Sequence, residues 1–201
     1  MEFHEIEYKY NSEEINRVEF NTFLKGFGPF KKDLTLEINP VNGKDSIDHY
    51  CSNGERFMRW REGQDSNGNK TWELTSKSRL SKLNNNKRKE VNIPLNTKDM
   101  TLEKAIEFSE MHGCKYDFSI KKEVQIYWTG KAVFSHYTTY DLTGKRLNCF
   151  VEIEADEKFK WESEEQAFTE INDWEKKFAP LGLTPQHRIK KSLFEFYTKF
   201  K

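Results

Sequence analysis

The sequence predicts an α+β fold: a closed eight-stranded antiparallel β-barrel, or tunnel, with a polar, charged interior and helices packed outside. The first observation is an N-terminal run in which Glu5, Glu7 and Lys9 alternate with apolar residues. The second is a run near the other end in which Glu152 and Glu154 alternate in the same way. Successive side chains of a strand point to opposite faces, so each run places its charges on one face. A sheet curled with its charged face inward reconciles both runs.

The strands are predicted from short runs with period-two alternation. These runs cover residues 3–10, 33–39, 46–51, 56–62, 70–79, 87–93, 116–129, 132–141 and 146–155. Turn residues at Asn67-Gly68, Thr129-Gly130 and Thr143-Gly144 separate successive runs and are typical of hairpins. Neighbouring strands are therefore expected to pair mainly antiparallel.

Four helices are expected to interrupt the strands and to cover the outside of the barrel. Asn11 followed by Glu14 predicts an N-cap for the first helix, and Ser163 followed by Gln166 predicts a capping box for the third. The predicted helices cover residues 11–24, 102–111, 163–178 and 192–200. The outward residues that they are expected to cover are Ile6, Tyr8, Met58, Trp60, Trp72, Leu74, Val91, Ile93, Val151 and Ile153.

Composition limits the classes of function. The chain of 201 residues has 33 basic and 33 acidic residues, so no general attraction to nucleic acid or to an anionic membrane is expected. No linker divides the chain, which predicts a single domain over residues 1–201. Three cysteines without metal-ligand spacing, and no apolar signal segment or membrane-spanning run, predict a cytoplasmic protein.

The inward face is expected to carry charges of both signs. Its predicted cations are Lys9, Arg59, Arg61, Lys77, Arg79, Arg88 and Lys121. Its predicted acids are Glu5, Glu7, Glu90, Glu152 and Glu154, with Glu73 and Glu123 less well supported. Confined like charges are costly unless they are paired or bind ions. Mg²⁺ or Mn²⁺ would suit the carboxylates, and a polyphosphate would suit the guanidinium groups.

The order of these residues resembles the CYTH superfamily, also called triphosphate tunnel metalloenzymes. Glu5-x-Glu7-x-Lys9 is similar to the ExExK motif of that family, and Glu152 and Glu154 lie in a run similar to its FVEIE strand. The other segments that carry the resemblance are Asp48-x-Tyr50, Arg59-x-Arg61, Leu74 to Lys77, Arg88-Lys89-Glu90, Asp141, Leu181 to Thr184 and Lys191 to Leu193.

The resemblance implies a set of site residues. The implied metal ligands are Glu5, Glu7, Glu152 and Glu154, with Glu90 and Asp141 as additions. The implied substrate-binding residues are Lys9, Arg59, Arg61, Lys77, Arg88 and Lys121, and the implied catalytic residues are Glu5, Glu7, Lys9 and Glu154. The sequence departs from the family at Lys121-Lys122-Glu123, where Glu123 replaces the usual arginine.

The resemblance also implies a function: a triphosphatase that depends on Mg²⁺ or Mn²⁺ and acts on tripolyphosphate, thiamine triphosphate or a nucleoside triphosphate. Two alternatives remain open, a class IV adenylate cyclase that forms cyclic AMP and pyrophosphate from ATP, and a non-catalytic binder of phosphorylated nucleotides. The expected partner is a small triphosphate, with the 5′-triphosphate end of an RNA as the one nucleic-acid exception. The chain is expected to be a monomer or a homodimer.

The histidines and Cys149 are interpreted as structural. His49 and His136 lie within predicted strands without the spacing of a zinc site, so each is expected to form hydrogen bonds. Cys149 is expected to be a small buried residue, because no Cys-His arrangement is evident in the sequence.

Overall fold

The computed structural model describes residues 5–27, 37–39, 46–54, 56–64, 69–77, 87–88, 90–95 and 99–198. For residues 5, 37–39, 64, 77, 87–88 and 90 it describes the backbone alone. The predicted turn at Asn67-Gly68 and the predicted strand residues 33–36 lie outside these ranges.

The described chain alternates strands with a few helices, which confirms the α+β class. The strands are β1 (Glu5–Asn11), β2 (Glu37–Asn39), β3 (Ser46–Ser52), β4 (Phe57–Gln64), β5 (Lys70–Lys77), β6 (Lys87–Arg88), β7 (Glu90–Leu95), β8 (Lys115–Trp128), β9 (Ala132–Tyr140) and β10 (Arg146–Ala155). The helices are α1 (Arg17–Lys25), α2 (Leu102–Met111), α3 (Glu164–Phe178) and α4 (Leu193–Tyr197). Short 3-10 helices lie at Ala179–Leu181 and Pro185–His187.

The chain divides into two compact units. The first unit comprises residues 1–42, 124–138 and 147–190, and the second comprises residues 43–123, 139–146 and 191–201. The strands β8, β9 and β10 each contribute residues to both units. The prediction of a single domain is not tested by this division and stays a prediction.

In the first unit, β1 pairs antiparallel with β10, so that Glu7 lies opposite Glu154 and Lys9 opposite Glu152. The apolar residues of β1 and β10 alternate with these charges and are buried under α1 and α3. In this core, Phe20 of α1 makes edge contacts with one aromatic ring of β8 and one of α3. The buried residues that belong to strands are Ile6, Tyr8, Tyr10, Tyr127, Ala132, Phe134, Val151, Ile153 and Ala155.

In the second unit, β8 pairs with β3, β3 with β4, β4 with β5, and β5 with β7, all antiparallel. One face of this sheet buries Met58, Trp60, Trp72 and Leu74 beside α2. Between these apolar residues, Arg59 and Arg61 of β4 and Glu73 of β5 occupy the alternate positions. In β4 and β5, alternation therefore places the buried apolar residues on one face and these three charges on the other.

The structure corrects the start of the first helix. Asn11 is the last residue of β1, where it pairs with Phe150. The N-cap of α1 is Asn16, whose side chain accepts a hydrogen bond from the backbone N–H of Glu19 at 2.9 Å. An asparagine followed three residues later by a glutamate occurs twice, at Asn11 and at Asn16. Because Asn11 still belongs to β1, only Asn16 can cap the helix, and α1 begins at Arg17.

The outward residues are mostly buried as predicted, with two corrections. Val91 is 47% exposed and Ile93 is 46% exposed, both on β7. The other eight of the predicted set are each less than a tenth exposed: Ile6, Tyr8, Met58, Trp60, Trp72, Leu74, Val151 and Ile153. The apolar face is thus covered, except at β7.

Hydrogen bonds between the described strands do not close the sheet on itself, so the closed eight-stranded barrel stays a prediction. Within the described ranges, no helix has the length and apolar character that a membrane span requires.

Candidate functional site

The charged residues of β1 and β10 form a cluster in the first unit, here called the acidic cluster: Glu7, Lys9, Glu152 and Glu154. Lys9 Nζ lies 3.1 Å from Glu7 Oε1 and 2.9 Å from Glu152 Oε1. Lys9 is only 6% exposed, so its ammonium depends on these two carboxylates for compensation. The structure thus brings together three of the residues that the resemblance assigned to catalysis or metal binding.

The charge of Lys9 is held by its surroundings. Burial alone would lower the pKa of Lys9, but the carboxylates of Glu152 and Glu7 outweigh burial and raise that pKa above its usual range. Lys9 is therefore a permanent ammonium at neutral pH.

Glu154 lies opposite Glu7 in the antiparallel register of β10 and β1. Like charges placed directly opposite on neighbouring strands repel each other, and a cation between them would remove that repulsion. Two facing carboxylates are oxygen ligands of the kind that Mg²⁺ and Mn²⁺ prefer. Glu7 and Glu154 therefore fit a divalent metal as partial ligands.

A complete metal site is not assembled by the described side chains alone. Among them, no group of three or more His, Cys, Asp or Glu side chains is placed to hold a metal. Two of the predicted ligands, Glu5 and Glu90, have side chains outside the description, so their part in metal binding stays a prediction.

Asp141, the last predicted metal ligand, is engaged in a turn. Its Oδ1 accepts hydrogen bonds from the backbone N–H of Thr143 and Lys145, both at 2.9 Å, and from the Thr143 hydroxyl at 2.6 Å. The Thr143 hydroxyl is the main reason that the pKa of Asp141 is lowered. This carboxylate therefore stabilises the connection between β9 and β10, and its predicted role as a ligand gains no support.

The second unit contains the basic cluster, here defined as Arg59, Arg61 and Lys122 together with the acids Asp48 and Glu73. Asp48 is fully buried and receives two hydrogen bonds from one guanidinium, from Arg61 Nε at 2.7 Å and from Arg61 Nη2 at 3.0 Å. Lys122 Nζ lies 3.8 Å from the same carboxylate. Burial alone would raise the pKa of Asp48, but Arg61, Lys122 and Arg59 hold it well below its usual range.

Arg59 of β4 is fixed by two residues of the neighbouring strand β5. Its Nη2 donates to Thr75 Oγ1 at 2.7 Å and lies 3.3 Å from Glu73 Oε1. Arg61 Nη1 lies 4.0 Å from the same oxygen of Glu73. The carboxylate of Glu73 therefore occupies a position between the two arginines of the predicted phosphate-binding pair.

The register of β8 corrects the phase assigned to Lys121. Lys121 pairs with Ile47, whereas the neighbouring Lys122 lies beside Asp48 on the charged face. Glu123 shares the face of Lys121, where it accepts a hydrogen bond from Tyr140 OH at 3.0 Å. Thus Lys121 is not on the face of the basic cluster, and Glu123 does not replace an arginine there.

Sequence reasoning missed Lys122 because three charged residues follow one another in β8, which leaves the phase of the strand undefined. The buried residues Ile120 and Tyr127 are separated by an odd number of positions, so regular alternation would place them on opposite faces of β8. Burial would therefore not have decided which face of β8 is the charged one either. Sequence reasoning also missed Tyr137 and Ser135, which donate to Glu152 from β9. The sequence signal that could have placed them on the charged face was their alternation with the apolar Phe134 in β9.

Two predicted phosphate ligands, Lys77 and Arg88, have side chains outside the description. Their roles stay predictions.

The histidines are hydrogen-bonded and buried, as expected. His49 Nδ1 lies 2.6 Å from Ser119 Oγ, and His136 Nε2 lies 2.9 Å from the carbonyl oxygen of Ile15. Cys149 is buried as predicted, but the expectation that it has no histidine beside it is wrong, because His136 Nε2 lies 3.3 Å from its Sγ. Burial works to raise the pKa of the Cys149 thiol, but His136 together with the hydroxyls of Ser12 and Thr138 outweighs burial and lowers that pKa.

No protein-family profile and no curated protein matches this chain. The fold is similar to that of a conserved hypothetical protein from Pyrococcus furiosus, with a TM-score of 0.65 and 23% identity over 95% of this chain and 98% of that chain. It is also similar to a proposed adenylate cyclase from Vibrio parahaemolyticus, with a TM-score of 0.58 and 16% identity over 98% of this chain and 99% of that chain.

A third similar structure belongs to a multiprotein assembly. A chain of the Schizosaccharomyces pombe Mediator head module has a TM-score of 0.60 and 10% identity over 89% of this chain and 96% of that chain. At such identities the likeness concerns the fold alone. It supports the CYTH-like fold expected from the motifs, and it leaves membership of the superfamily and the function as predictions.

Proposed function

We propose that this chain is a divalent-metal-dependent phosphohydrolase that cleaves the terminal phosphoanhydride bond of an inorganic or organic triphosphate. The observation that carries the proposal is the acidic cluster, in which Lys9 is buried between Glu7 and Glu152 while Glu154 lies opposite Glu7. The three partly buried acids of this cluster outnumber its one buried ammonium, and an excess of carboxylates favours a bound cation. Its residues follow the order of the motifs that resemble the CYTH superfamily.

In this proposal Glu7 and Glu154 hold Mg²⁺ or Mn²⁺, and Glu5 completes the set by its place in the same alternation. A bound divalent ion would polarise phosphoryl oxygens and offset charge that develops in the transition state. The protein's own contribution in the first unit is to place Glu7 and Glu154 opposite each other in the strand register and to keep the Lys9 ammonium beside Glu7.

The basic cluster is proposed to orient the phosphates. Arg61 uses two of its nitrogens on Asp48, which fixes the plane of its guanidinium before any anion binds. Arg59 is fixed in a similar way by Thr75. Fixed donors lose little conformational entropy on binding, so they favour positioning of the substrate. The assignment of both clusters to one substrate comes from the family resemblance and not from the geometry of either unit.

The proposal is tested by the variants Glu7→Ala and Glu154→Ala. Both should abolish metal-dependent release of orthophosphate from the best substrate, while the far-ultraviolet circular dichroism stays that of the wild type. Glu123→Ala is the matched control, because that glutamate is hydrogen-bonded on the opposite face of β8 from Lys122. Normal turnover in both purified cluster variants would contradict the proposal.

The substrate is found by a panel assay. Tripolyphosphate, thiamine triphosphate, the common nucleoside triphosphates and 5′-triphosphorylated RNA are each incubated with Mg²⁺ or with Mn²⁺. Hydrolysis of at least one of them that stops with a chelator and returns with added metal is the expected result.

Cyclisation is the second candidate function, because one of the similar structures is that of a proposed adenylate cyclase. Incubation with ATP and Mg²⁺ separates the two: orthophosphate supports hydrolysis, and cyclic AMP with pyrophosphate supports cyclisation. A non-catalytic binder would instead show saturable triphosphate binding without turnover in either metal.

A further inference from the structure

Glu152 is surrounded by three hydrogen-bond donors. Lys9 Nζ lies 2.9 Å from its Oε1, and Tyr137 OH donates to the same oxygen at 2.7 Å. Ser135 Oγ donates to its Oε2 at 3.1 Å. Both carboxylate oxygens are therefore engaged by the protein itself.

The donors are held in place by their own packing. Tyr137 is fully buried, and its ring stacks on Phe150 at a centroid distance of 5.3 Å. Lys9 is buried and reaches Glu7 as well as Glu152. A metal that bound Glu152 through Oε1, alone or in a bidentate mode, would have to displace Lys9 or Tyr137, and a buried ammonium or hydroxyl that loses its partner carries a large cost.

Glu154 differs from Glu152 in its position. Both project to the same face of β10, two residues apart, but Glu152 lies opposite a cation, Lys9, whereas Glu154 lies opposite an acid, Glu7. The cross-strand register therefore places a cation opposite Glu152 and a second carboxylate opposite Glu154.

We infer that Glu152 is a positioning residue, which holds the Lys9 ammonium, and is not a ligand of the metal. Tyr137 and Ser135 hold Glu152 in turn. The inference rests on the proposed function, because it divides the acidic cluster into residues that bind a metal and a residue that orients Lys9. It also departs from the role that the family resemblance implied for Glu152.

The first test compares Glu152→Gln with Glu154→Gln in Mn²⁺ binding, followed by the electron paramagnetic resonance signal of free Mn²⁺ without substrate. The two variants are matched, since each removes one charge from the same face of the same strand. Glu154→Gln should weaken binding by about tenfold or more, as expected when the site loses an interaction on which affinity depends. Glu152→Gln should weaken it clearly less than Glu154→Gln does, because it removes only a through-space attraction to the metal and no ligand. Equal losses in the two variants would overturn the inference.

The second test measures the position of Lys9 without any metal. The lysines of the intact, folded chain are acetylated by a water-soluble reagent, and mass spectrometry then measures how far Lys9 has reacted. Lys9 should be protected in the wild type and in Glu154→Gln, and it should react about tenfold faster in Glu152→Gln, where it loses its closest charged partner. Unchanged protection of Lys9 in Glu152→Gln would overturn the inference.

The third test uses Tyr137→Phe, which keeps the ring but removes the hydroxyl that donates to Glu152. Tyr140→Phe is its control, because it removes a tyrosine-glutamate hydrogen bond from the same strand but on the other face. Tyr137→Phe should lower kcat for the best triphosphate with little change in Mn²⁺ affinity, and Tyr140→Phe should change neither. If the wild type binds no Mn²⁺, the proposed function is overturned, and the labelling of Lys9 alone decides the role of Glu152.

Discussion

Glu73 carries a carboxylate into the position between Arg59 and Arg61, the two arginines that the proposed function assigns to phosphate binding. Glu73 Oε1 lies 3.3 Å from Arg59 Nη2 and 4.0 Å from Arg61 Nη1, and the Glu73 side chain is 34% exposed. A half-exposed acid can be displaced more cheaply than a buried one. The acid therefore competes with any anion that these arginines bind.

The variant Glu73→Gln should strengthen the binding of tripolyphosphate by about tenfold, because one unit of opposing charge near the arginines is worth roughly 1 to 2 kcal/mol at the protein surface. Isothermal titration calorimetry without metal measures this change. Glu62→Gln is the control, since that residue lies on the other face of β4 from Arg59 and Arg61 and contacts Lys70 instead. Weaker binding in Glu73→Gln than in the control would contradict the prediction.

Asp48 is the most deeply buried charge of the basic cluster, and its pKa is held below the usual range by Arg61. A carboxylate with a depressed folded-state pKa stabilises the fold above its unfolded-state pKa, near 4, and this contribution is lost as the pH falls through the folded-state value. The pair is thus fully effective at neutral pH and weakens on acidification.

Replacement of Arg61 by methionine should lower the free energy of unfolding at pH 7 by roughly 3 to 5 kcal/mol, because the buried Asp48 loses its two hydrogen bonds. Urea denaturation at pH 7 and at pH 3 measures the effect, and the loss should be smaller at pH 3. The double variant Asp48→Asn with Arg61→Met should recover part of the stability. A loss that grows on acidification would contradict the assignment of the pair.

At the scale of single residues, the sequence predicted which strands carry charge but not every partner. Glu7, Lys9 and Glu152 were found because alternation in β1 and β10 is regular. Lys122 was missed because alternation cannot fix the phase of a strand through consecutive charges, and only the pairing of β8 with β3 does so. The Cys149-His136 contact was missed because it depends on the register of one hairpin.

At the scale of elements, prediction succeeded where the local chemistry was unambiguous. The helix α2 runs from Leu102 to Met111 as predicted, and Ser163 caps α3 by accepting a hydrogen bond from the backbone N–H of Gln166. The helix α1 was placed too early because the end of β1 is decided by pairing with β10, a contact distant in sequence. Local patterns define the helices, and pairing defines where strands end.

The strand β7 differs from the other strands in its exposure. Ile93 is 46% exposed, whereas Ile153 of β10 is fully buried in the first unit. Ile153→Ala should therefore lower the free energy of unfolding by about 2 to 5 kcal/mol, from lost burial and the cavity left behind. Ile93→Ala should cost less than about 1 kcal/mol, the scale of strand propensity. Urea denaturation of both variants measures the difference, and similar losses would show that β7 is covered in solution.

At the scale of the whole molecule, charge is balanced, with 33 basic and 33 acidic residues. Without a net positive charge, the electrostatic attraction that drives non-specific DNA binding is missing. The protein should therefore leave the mobility of a short DNA duplex unchanged in a gel-shift assay at physiological salt. Retardation that disappears at high salt would contradict this and would point to segregated positive charge on the surface.

The architecture of the whole chain was predicted in part. The α+β class and the antiparallel pairing followed from alternation and turn residues. The division into two units, each assembled from separated stretches, could not be predicted, because no change of composition marks where the chain passes from one to the other. Closure of the barrel depends on pairings that no local pattern specifies.

The pairing of Glu7 with Glu154 has a consequence for biosynthesis. The strand β1 leaves the ribosome long before β10, so the nascent chain carries an unpaired edge through most of translation. Non-local pairing of this kind slows folding, and an exposed edge invites aggregation meanwhile.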